Sequence, residues 1–171
     1  MFTLIKLIQS LFGALHSEGT PGQLALGIAL GSIMGLTPLM NIHNAIVLAA
    51  LMLLNVSFAG GLLGWALFVP VGFLLDPLFD WIGHSLLLAP ALRGLWTSLY
   101  NIPIVPLTNF NNTIVLGSLV FALVLLVPLF FATRWAVARY RVTVGERVRQ
   151  SKFYRAVMAS KVYNAYKMFK P

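Results

Sequence analysis

Residues 27–44 read GIALGSIMGLTPLMNIHN, and the fold depends on this stretch. Glycine recurs at every fourth position, as Gly27, Gly31 and Gly35, before the apolar run breaks at Pro38. The stretch belongs to a longer segment, from Gly19 to Leu75, that contains no Asp, Glu, Lys or Arg. A charged side chain at the centre of a membrane helix costs roughly 2.5–3.5 kcal/mol on insertion scales, so a charge-free segment of this length is typical of a membrane-embedded chain.

The composition agrees with that interpretation. Of the 171 residues, 59% are hydrophobic and only 9% are charged, whereas about a quarter of a soluble domain is charged. The chain contains no cysteine, which excludes disulfides and thiolate chemistry. We therefore expect an all-α integral membrane protein, built from Gly/Pro-interrupted re-entrant or kinked helical hairpins, one conventional transmembrane helix and a basic amphipathic C-terminal helix.

The first part of the chain predicts a short helix followed by a broken hairpin. Residues 1–18 have helical apolar spacing but are too few to span about 30 Å, so we expect them to lie in the membrane interface. Thr20 is the expected N-cap of the next helix, with Pro21 at its first position. Residues 24–54 then form the first predicted hairpin, re-entrant or sharply kinked at Pro38, because neither half is long enough to span alone.

The glycines and the polar residues of this hairpin have two interpretations each. Gly27, Gly31 and Gly35 share one helical face, which favours close helix packing near Pro38, or close approach to a lipid or substrate. Asn41, His43 and Asn44 follow the break, where irregular backbone is tolerated only against protein or water. We expect these three side chains to be buried against neighbours or to line a polar pocket.

Residues 58–88 predict a second hairpin with a glycine-rich half, an internal Pro70 and a polar cluster. Asp76, Asp80 and His84 are spaced at i, i+4 and i+8, so a helix places them along one side. Such a row can relay protons or contribute to a metal site. The structural alternative makes Asp76 the N-cap of a helix that begins at Pro77, with Asp80 complementing the helix dipole. Metal spacing is incomplete, so no metal or cofactor is predicted.

The remainder of the membrane domain, which we place at residues 19–133, consists of a loop and one conventional helix. The loop covers residues 89–112 and includes a short surface helix around Trp96. Residues 113–133 are apolar throughout and long enough to span. Basic residues follow at once, which places the C-terminal end of this helix in the cytoplasm and the loop on the opposite side.

The tail, residues 134–171, carries ten of the twelve basic residues of the chain and one acid, Glu146. A basic cluster beside a membrane helix attracts anionic lipid headgroups. The candidate lipid contacts are Arg134, Arg139, Arg141, Arg147, Arg149, Lys152 and Arg155. No nucleic-acid-binding motif accompanies these residues, so nucleic acid is not an expected partner. The amphipathic pattern at the end of the tail indicates a helix on the anionic leaflet or, alternatively, one docked on a partner protein.

Several short motifs together resemble a bacterial membrane family, the domain of unknown function 2062. The motifs are Gly19-Thr20-Pro21, Leu24 to Gly31, Gly35-Leu36-Thr37-Pro38, Leu62 to Phe68, Asp76-Pro77-Leu78, Gly94-Leu95-Trp96, Tyr100-Asn101 and Phe110 to Thr113. The resemblance covers residues 19–140. It implies an inner-membrane protein of bacteria that possess an outer membrane, often encoded beside a larger envelope protein, and it implies no catalytic residues.

These observations give three expectations for function. The first is a non-enzymatic inner-membrane subunit or anchor of a bacterial envelope assembly, which binds membrane phospholipid, docks a larger periplasmic partner and supports lipid transport between membranes. The second is a small transporter or lipid scramblase with a polar path at the broken hairpins, by analogy with the hairpins of DedA-type scramblases. An enzyme is not expected, because no nucleophile–base pair, phosphate loop or metal set is readable among so few ionisable groups.

Overall fold

The computed structural model describes residues 19–143, and every regular element in that range is helical. The helices are α1 (Pro21–Leu36), α2 (Ile42–Leu53), α3 (Phe58–Leu88), α4 (Arg93–Tyr100) and α5 (Thr113–Thr143), with short 3-10 turns at Pro90–Leu92 and Val105–Thr108. The predicted all-helical class is confirmed. The interfacial helix predicted at 1–18 and the amphipathic helix predicted near the chain's end lie outside the described residues.

Helix α1 begins where the sequence predicts. The Thr20 hydroxyl accepts a hydrogen bond from the Gln23 backbone N–H, and the Gln23 side chain accepts one from the Thr20 backbone N–H, so the two residues form a capping box. Pro21 occupies the first turn, where its missing N–H is not needed. Thr37 ends the helix in an extended conformation, one residue before Pro38.

Helix α3 corrects the prediction of a second hairpin. Residues 58–88 form one continuous helix of 31 residues, with Pro70 and Pro77 inside it. Each proline removes one helical hydrogen bond, and the packing of α3 against its neighbours keeps the backbone helical. The Asp76–Pro77 pair therefore does not start a helix, and the N-cap proposed for Asp76 is wrong.

The core of the protein is formed by α1, α3 and α5. Leu24 and Ile28 of α1 form a buried cluster with Leu63 of α3 and Val137 of α5 near one end of the bundle. Towards the other end, the rings of Phe79 on α3 and Phe121 on α5 lie 5.4 Å apart. Along the bundle, residue numbers therefore increase on α3 while they decrease on α5. The two helices are antiparallel.

Helices α1 and α2 form a helical hairpin that spans about half of α3. Its two ends meet where the Gln23 amide donates to Asn55 Oδ1 at 2.8 Å and the Ser57 N–H donates to the Gln23 carbonyl at 3.1 Å. Its other end stops beside the middle of α3, where Leu36 backbone atoms lie against Gly72. At 1.5 Å per residue, α1 is about 24 Å long and α3 about 46 Å.

Helices α3 and α5 are each long and apolar enough to cross a membrane, and each leaves most of its apolar surface uncovered. Helix α5 continues beyond the predicted boundary at residue 133 and includes the first arginines of the tail. Helix α4 folds back onto the end of α3, because the Trp96 indole N–H donates to the Leu86 carbonyl at 3.0 Å. The predicted surface helix in the loop is thus present.

Candidate membrane site

The turn between α1 and α2 is closed by a buried asparagine. Asn44 is 4% exposed, and its amide donates to the Pro38 carbonyl at 2.8 Å. The Thr37 hydroxyl lies 2.8 Å from the Ile33 carbonyl and 3.0 Å from Asn44 Oδ1, and its single O–H is shared between these two acceptors. Buried polar groups are costly unless they are paired, so these bonds fix the turn.

A second asparagine ties the turn to the distant loop. The Asn41 amide donates to the same Pro38 carbonyl at 2.9 Å, while Asn41 Oδ1 accepts from the Asn109 amide at 3.0 Å. Asn109 has a φ of 56°, in the left-handed region that asparagine tolerates better than most residues. The loop after α4 is therefore held against the hairpin by one pair of amides.

A groove of about 490 Å³ opens beside this turn. Its apolar lining comes from α1, the turn, α2 and the loop: Met34, Leu39, Met40, Ile42, Ala45, Leu48 and Leu107. The polar side chains in its wall are Asn41 and Asn44, both engaged in the bonds that close the turn. The groove is thus an apolar surface whose polar groups are already satisfied.

His43 lies on the other side of the first turn of α2. Both of its ring nitrogens are buried and have no hydrogen-bond partner within residues 19–143, and the Trp65 indole nitrogen on α3 is in the same condition. His43 does not line the groove, and it shares a helical face with the buried Val47 and Leu51. The structure therefore separates His43 from the two asparagines that surround it in sequence.

The glycines of α1 lie directly against the backbone of α3. A Cβ at Gly27 would meet the Ser57 carbonyl, and one at Gly31 would meet the Gly61 carbonyl. A Cβ at Gly35 would lie 2.7 Å from the Trp65 carbonyl. These positions lie in the helix contact and do not line the groove. Small residues are what allow two helix backbones to approach this closely.

The row of ionisable groups on α3 lies along one continuous helix but does not converge on one partner. Asp80 accepts a short hydrogen bond from the Thr113 hydroxyl at the start of α5. Gly83 abuts the Thr113 backbone at the same crossing. Asp80 therefore ties α3 to the N-terminal end of α5, where a carboxylate also complements the helix dipole.

Asp76 and His84 have no such role. Asp76 is half-buried and forms no hydrogen bond or ion pair within the described part of the chain, and His84 is exposed. No group of three His, Cys, Asp or Glu residues in residues 19–143 is placed to hold a metal ion. The six polar residues that the sequence singles out thus do not form one site. They lie in three places: in the turn (Asn41 and Asn44), on the buried face of α2 (His43) and along α3 (Asp76, Asp80 and His84).

The arginines lie at the end of the bundle where the hairpin begins and ends. The Arg141 guanidinium donates to the Gly19 carbonyl at 2.8 Å, and the Arg139 guanidinium carbon lies 5.9 Å from the centre of the Trp135 ring. Arg134 is exposed. The other candidate lipid contacts, Arg147, Arg149, Lys152 and Arg155, lie outside the described residues.

Several residues that hold the site together are not predicted from the sequence. Gln23, Asn55, Asn109 and Thr113 each form a bond across at least 30 residues of chain with a partner of complementary chemistry. Such pairs carry no periodic signal, because nothing in one sequence states which polar loop residues meet. A usable signal was the presence of single polar side chains at the edges of otherwise apolar segments.

Comparisons with known proteins agree with the resemblance. A family model described as "Uncharacterized protein conserved in bacteria (DUF2062)" matches residues 7–144. A protein of Treponema pallidum (strain Nichols), described as "Uncharacterized protein", is 28% identical over 151 residues, which cover 88% of this chain and 93% of that protein. No solved structure matches the chain.

Proposed function

We propose, since the chain belongs to the DUF2062 family of bacterial proteins, that it is a non-enzymatic inner-membrane subunit or anchor of an envelope assembly. In this proposal it docks a larger periplasmic protein and supports lipid transport between membranes. One observation carries the proposal. The polar side chains at the hairpin turn and at the α3–α5 crossing are used to hold helices together, which is what a scaffold requires.

The register of α3 and α5 supports a position in the membrane. Because Val137 packs with Leu63, the nearby Trp135 lies close to the level of residue 65 on α3. Trp81 is 66% exposed and Trp135 is 65% exposed. Their levels are separated by about 24 Å along α3. Exposed tryptophans at two levels are typical of the two interfaces of a bilayer.

The same levels support a proposed orientation. Arg134, Arg139 and Arg141 lie at or beyond the level of Trp135, and the hairpin begins and ends on that side. The positive-inside rule places this end in the cytoplasm. The hairpin, which reaches only Gly72, then enters the membrane from the cytoplasmic side and returns to it. We accordingly propose that α1 and α2 are a re-entrant hairpin.

The loop from 89 to 112 supplies a surface for the periplasmic partner. Phe110 forms a small aromatic cluster with Trp96 and Tyr100, with ring centres 6.0 and 6.5 Å apart. The same loop also exposes the apolar side chains of Leu95, Ile102 and Ile104. Aromatic residues with an apolar surround are typical of protein interfaces, and this loop lies at the end opposite the arginines.

The proposal is tested by purifying the tagged protein from its native host in mild detergent and identifying co-purifying proteins and lipids by mass spectrometry. We expect a near-stoichiometric large envelope protein, retained by a Thr97→Asp control and lost from an Ile104→Asp variant. Thr97 and Ile104 are both exposed in the same loop, but only Ile104 is apolar. Purification of the chain with phospholipid and no protein partner would contradict the subunit proposal.

A specific observation keeps a second candidate function, a small transporter or lipid scramblase. Asp76 is half-buried without a partner in residues 19–143, and it lies between the two tryptophan levels. Ionisable groups at membrane depth often mark transport paths. His43, with its unpartnered ring nitrogens, is a second such group. Transport by the purified chain in vesicles, abolished by Asp76→Asn, would favour this alternative.

A further inference from the structure

We infer that the groove beside the α1–α2 turn binds one acyl chain of a membrane phospholipid. This inference rests on the proposed function and names the class of molecule that the protein handles. The volume of the groove, about 490 Å³, falls within the range of roughly 300–1,000 Å³ that is usual for small-molecule sites. Three features of the groove decide which kind of molecule fits it.

The first feature is chemical. Every side chain in the groove wall is apolar except Asn41 and Asn44. The Asn44 amide and oxygen are bonded to Pro38 and Thr37. The Asn41 amide and oxygen are likewise bonded to Pro38 and Asn109. Because a bonded amide gives little to a new partner, the groove offers van der Waals contact and excludes an ion, a sugar or a headgroup.

The second feature is depth. Leu36 lies against Gly72, about halfway between the levels of Trp135 and Trp81, and the turn follows directly. In the proposed orientation the groove therefore faces the hydrocarbon region of the bilayer. The surrounding solvent there consists of acyl chains, so a lipid tail reaches the groove by lateral diffusion. A soluble apolar ligand would first have to partition into the membrane.

The third feature is access. The groove is an open one whose mouth carries Met40, which is 93% exposed, and Leu39, which is 54% exposed. Leu107 lines the groove from the loop that the Asn109–Asn41 pair ties to the turn. Methionine is flexible and fits irregular apolar shapes, which suits a chain that has many conformations. The loop that is proposed to dock the partner thus also forms part of the lipid site.

The test uses photo-crosslinking of the full chain, in phospholipid vesicles that contain a phosphatidylcholine with a diazirine in one acyl chain. Crosslinked peptides are located by mass spectrometry. We expect label to concentrate on the apolar residues that line the groove: Met34, Leu39, Met40, Ile42, Ala45, Leu48 and Leu107. Ala45→Trp fills the groove and should reduce this label at least fivefold, whereas Ala49→Trp, an exposed position one turn further along α2 and outside the groove, should not.

A second pair of variants keeps the test valid if Ala45→Trp does not fold. Leu48→Trp also lies in the groove, and Leu53→Trp is exposed on the same helix but outside it. Equal labelling of the groove and of the bare outer faces of α3 and α5 would overturn the inference, as would unchanged label in folded Ala45→Trp and Leu48→Trp proteins. Partner binding is measured separately, in the purification from the native host. Absence of a partner there, with groove labelling intact in vesicles, would reject the subunit proposal alone.

Discussion

The Gln23 side-chain amide donates a 2.8 Å hydrogen bond to Asn55 Oδ1, although the two residues are 32 positions apart in the chain. This bond joins the start of α1 to the segment that follows α2. Since α1 begins there and α2 ends there, the hairpin extends from that base along α3, and its turn stops beside Gly72. The pair at the base thus holds the two ends of the hairpin together, while the length of α1 sets how far the turn reaches along α3.

Gly31→Leu should destabilise the protein strongly. A side chain at this position meets the Gly61 carbonyl and the Trp65 backbone nitrogen, so α1 and α3 must move apart. Overpacking of this kind costs roughly 1–3 kcal/mol, which lowers Tm by about 2–12 °C in a chain of this size. Thermal unfolding in detergent measures the change. Gly94→Leu is the matched control, because a Cβ at Gly94 meets nothing within 4 Å.

The packing of the glycines shows what a sequence pattern can predict. Glycine at every fourth position predicts that one face of the helix carries no side chains. The close contact of Gly27, Gly31 and Gly35 with α3 agrees with that prediction. The cap at Thr20 and Pro21 is similarly local, since both partners lie within one turn. A feature can be predicted from the sequence when it repeats along one helix, or when its bonded partners lie within a few residues of each other.

Helix α3 shows where such reasoning fails. Pro70 and Pro77 predict breaks when each is considered with its neighbours alone. The structure keeps the helix continuous, since Gly60, Gly61, Gly64 and Gly72 pack it closely against the hairpin. The candidate site fails for a related reason. His43 and Asn44 are adjacent in sequence, but their side chains leave α2 on different sides, and only the tertiary fold determines which one reaches the turn.

Asn44→Leu should loosen the hairpin turn. The substitution leaves the Pro38 carbonyl without the amide of Asn44 and the Thr37 hydroxyl without one of its acceptors, in a position that is 4% exposed. Because the Pro38 carbonyl keeps the Asn41 amide and the Thr37 hydroxyl keeps the Ile33 carbonyl, the cost is that of the lost hydrogen bonds, about 0.5–1.5 kcal/mol each. Hydrogen exchange of residues 33–45 should rise at least tenfold. Asn101→Leu, whose amide bonds only its own helix at an exposed site, should leave exchange in the turn unchanged.

Thr113→Val should weaken the crossing of α3 and α5. It removes the hydroxyl that donates to Asp80 while keeping the shape of the side chain. Because the pair is exposed, we expect a loss of about 1 kcal/mol and a Tm lower by a few degrees. Ser85→Ala is the control, since that hydroxyl donates within α3 to the Trp81 carbonyl. Equal Tm values for the two variants would mean that Asp80 does not hold the crossing.

Asp76→Asn and Asp80→Asn should leave assembly intact and cost little activity, if the protein is a scaffold. An asparagine oxygen at position 80 still accepts from Thr113, and position 76 has no partner to lose in the described residues. Yield, insertion and retention of the partner should stay within about twofold of wild type. A strong loss of function in correctly inserted Asp76→Asn protein would instead favour the transporter, because only proton or ion chemistry distinguishes the carboxylate from its amide there.

The membrane topology can be tested directly, because the chain contains no cysteine and each substitution adds a single thiol. We expect Leu54→Cys, at an exposed position beside the hairpin base, to react with a membrane-impermeant maleimide only from the cytoplasmic side, and Ser98→Cys only from the periplasmic side. Met40→Cys should react from neither side in intact membranes, although Met40 is 93% exposed in the fold, since a re-entrant turn faces lipid. After detergent solubilisation it should react as fast as the other two. Labelling of Met40→Cys from the periplasm in intact cells would mean that the hairpin crosses the whole bilayer, and the acyl-chain groove would then lie at the periplasmic surface.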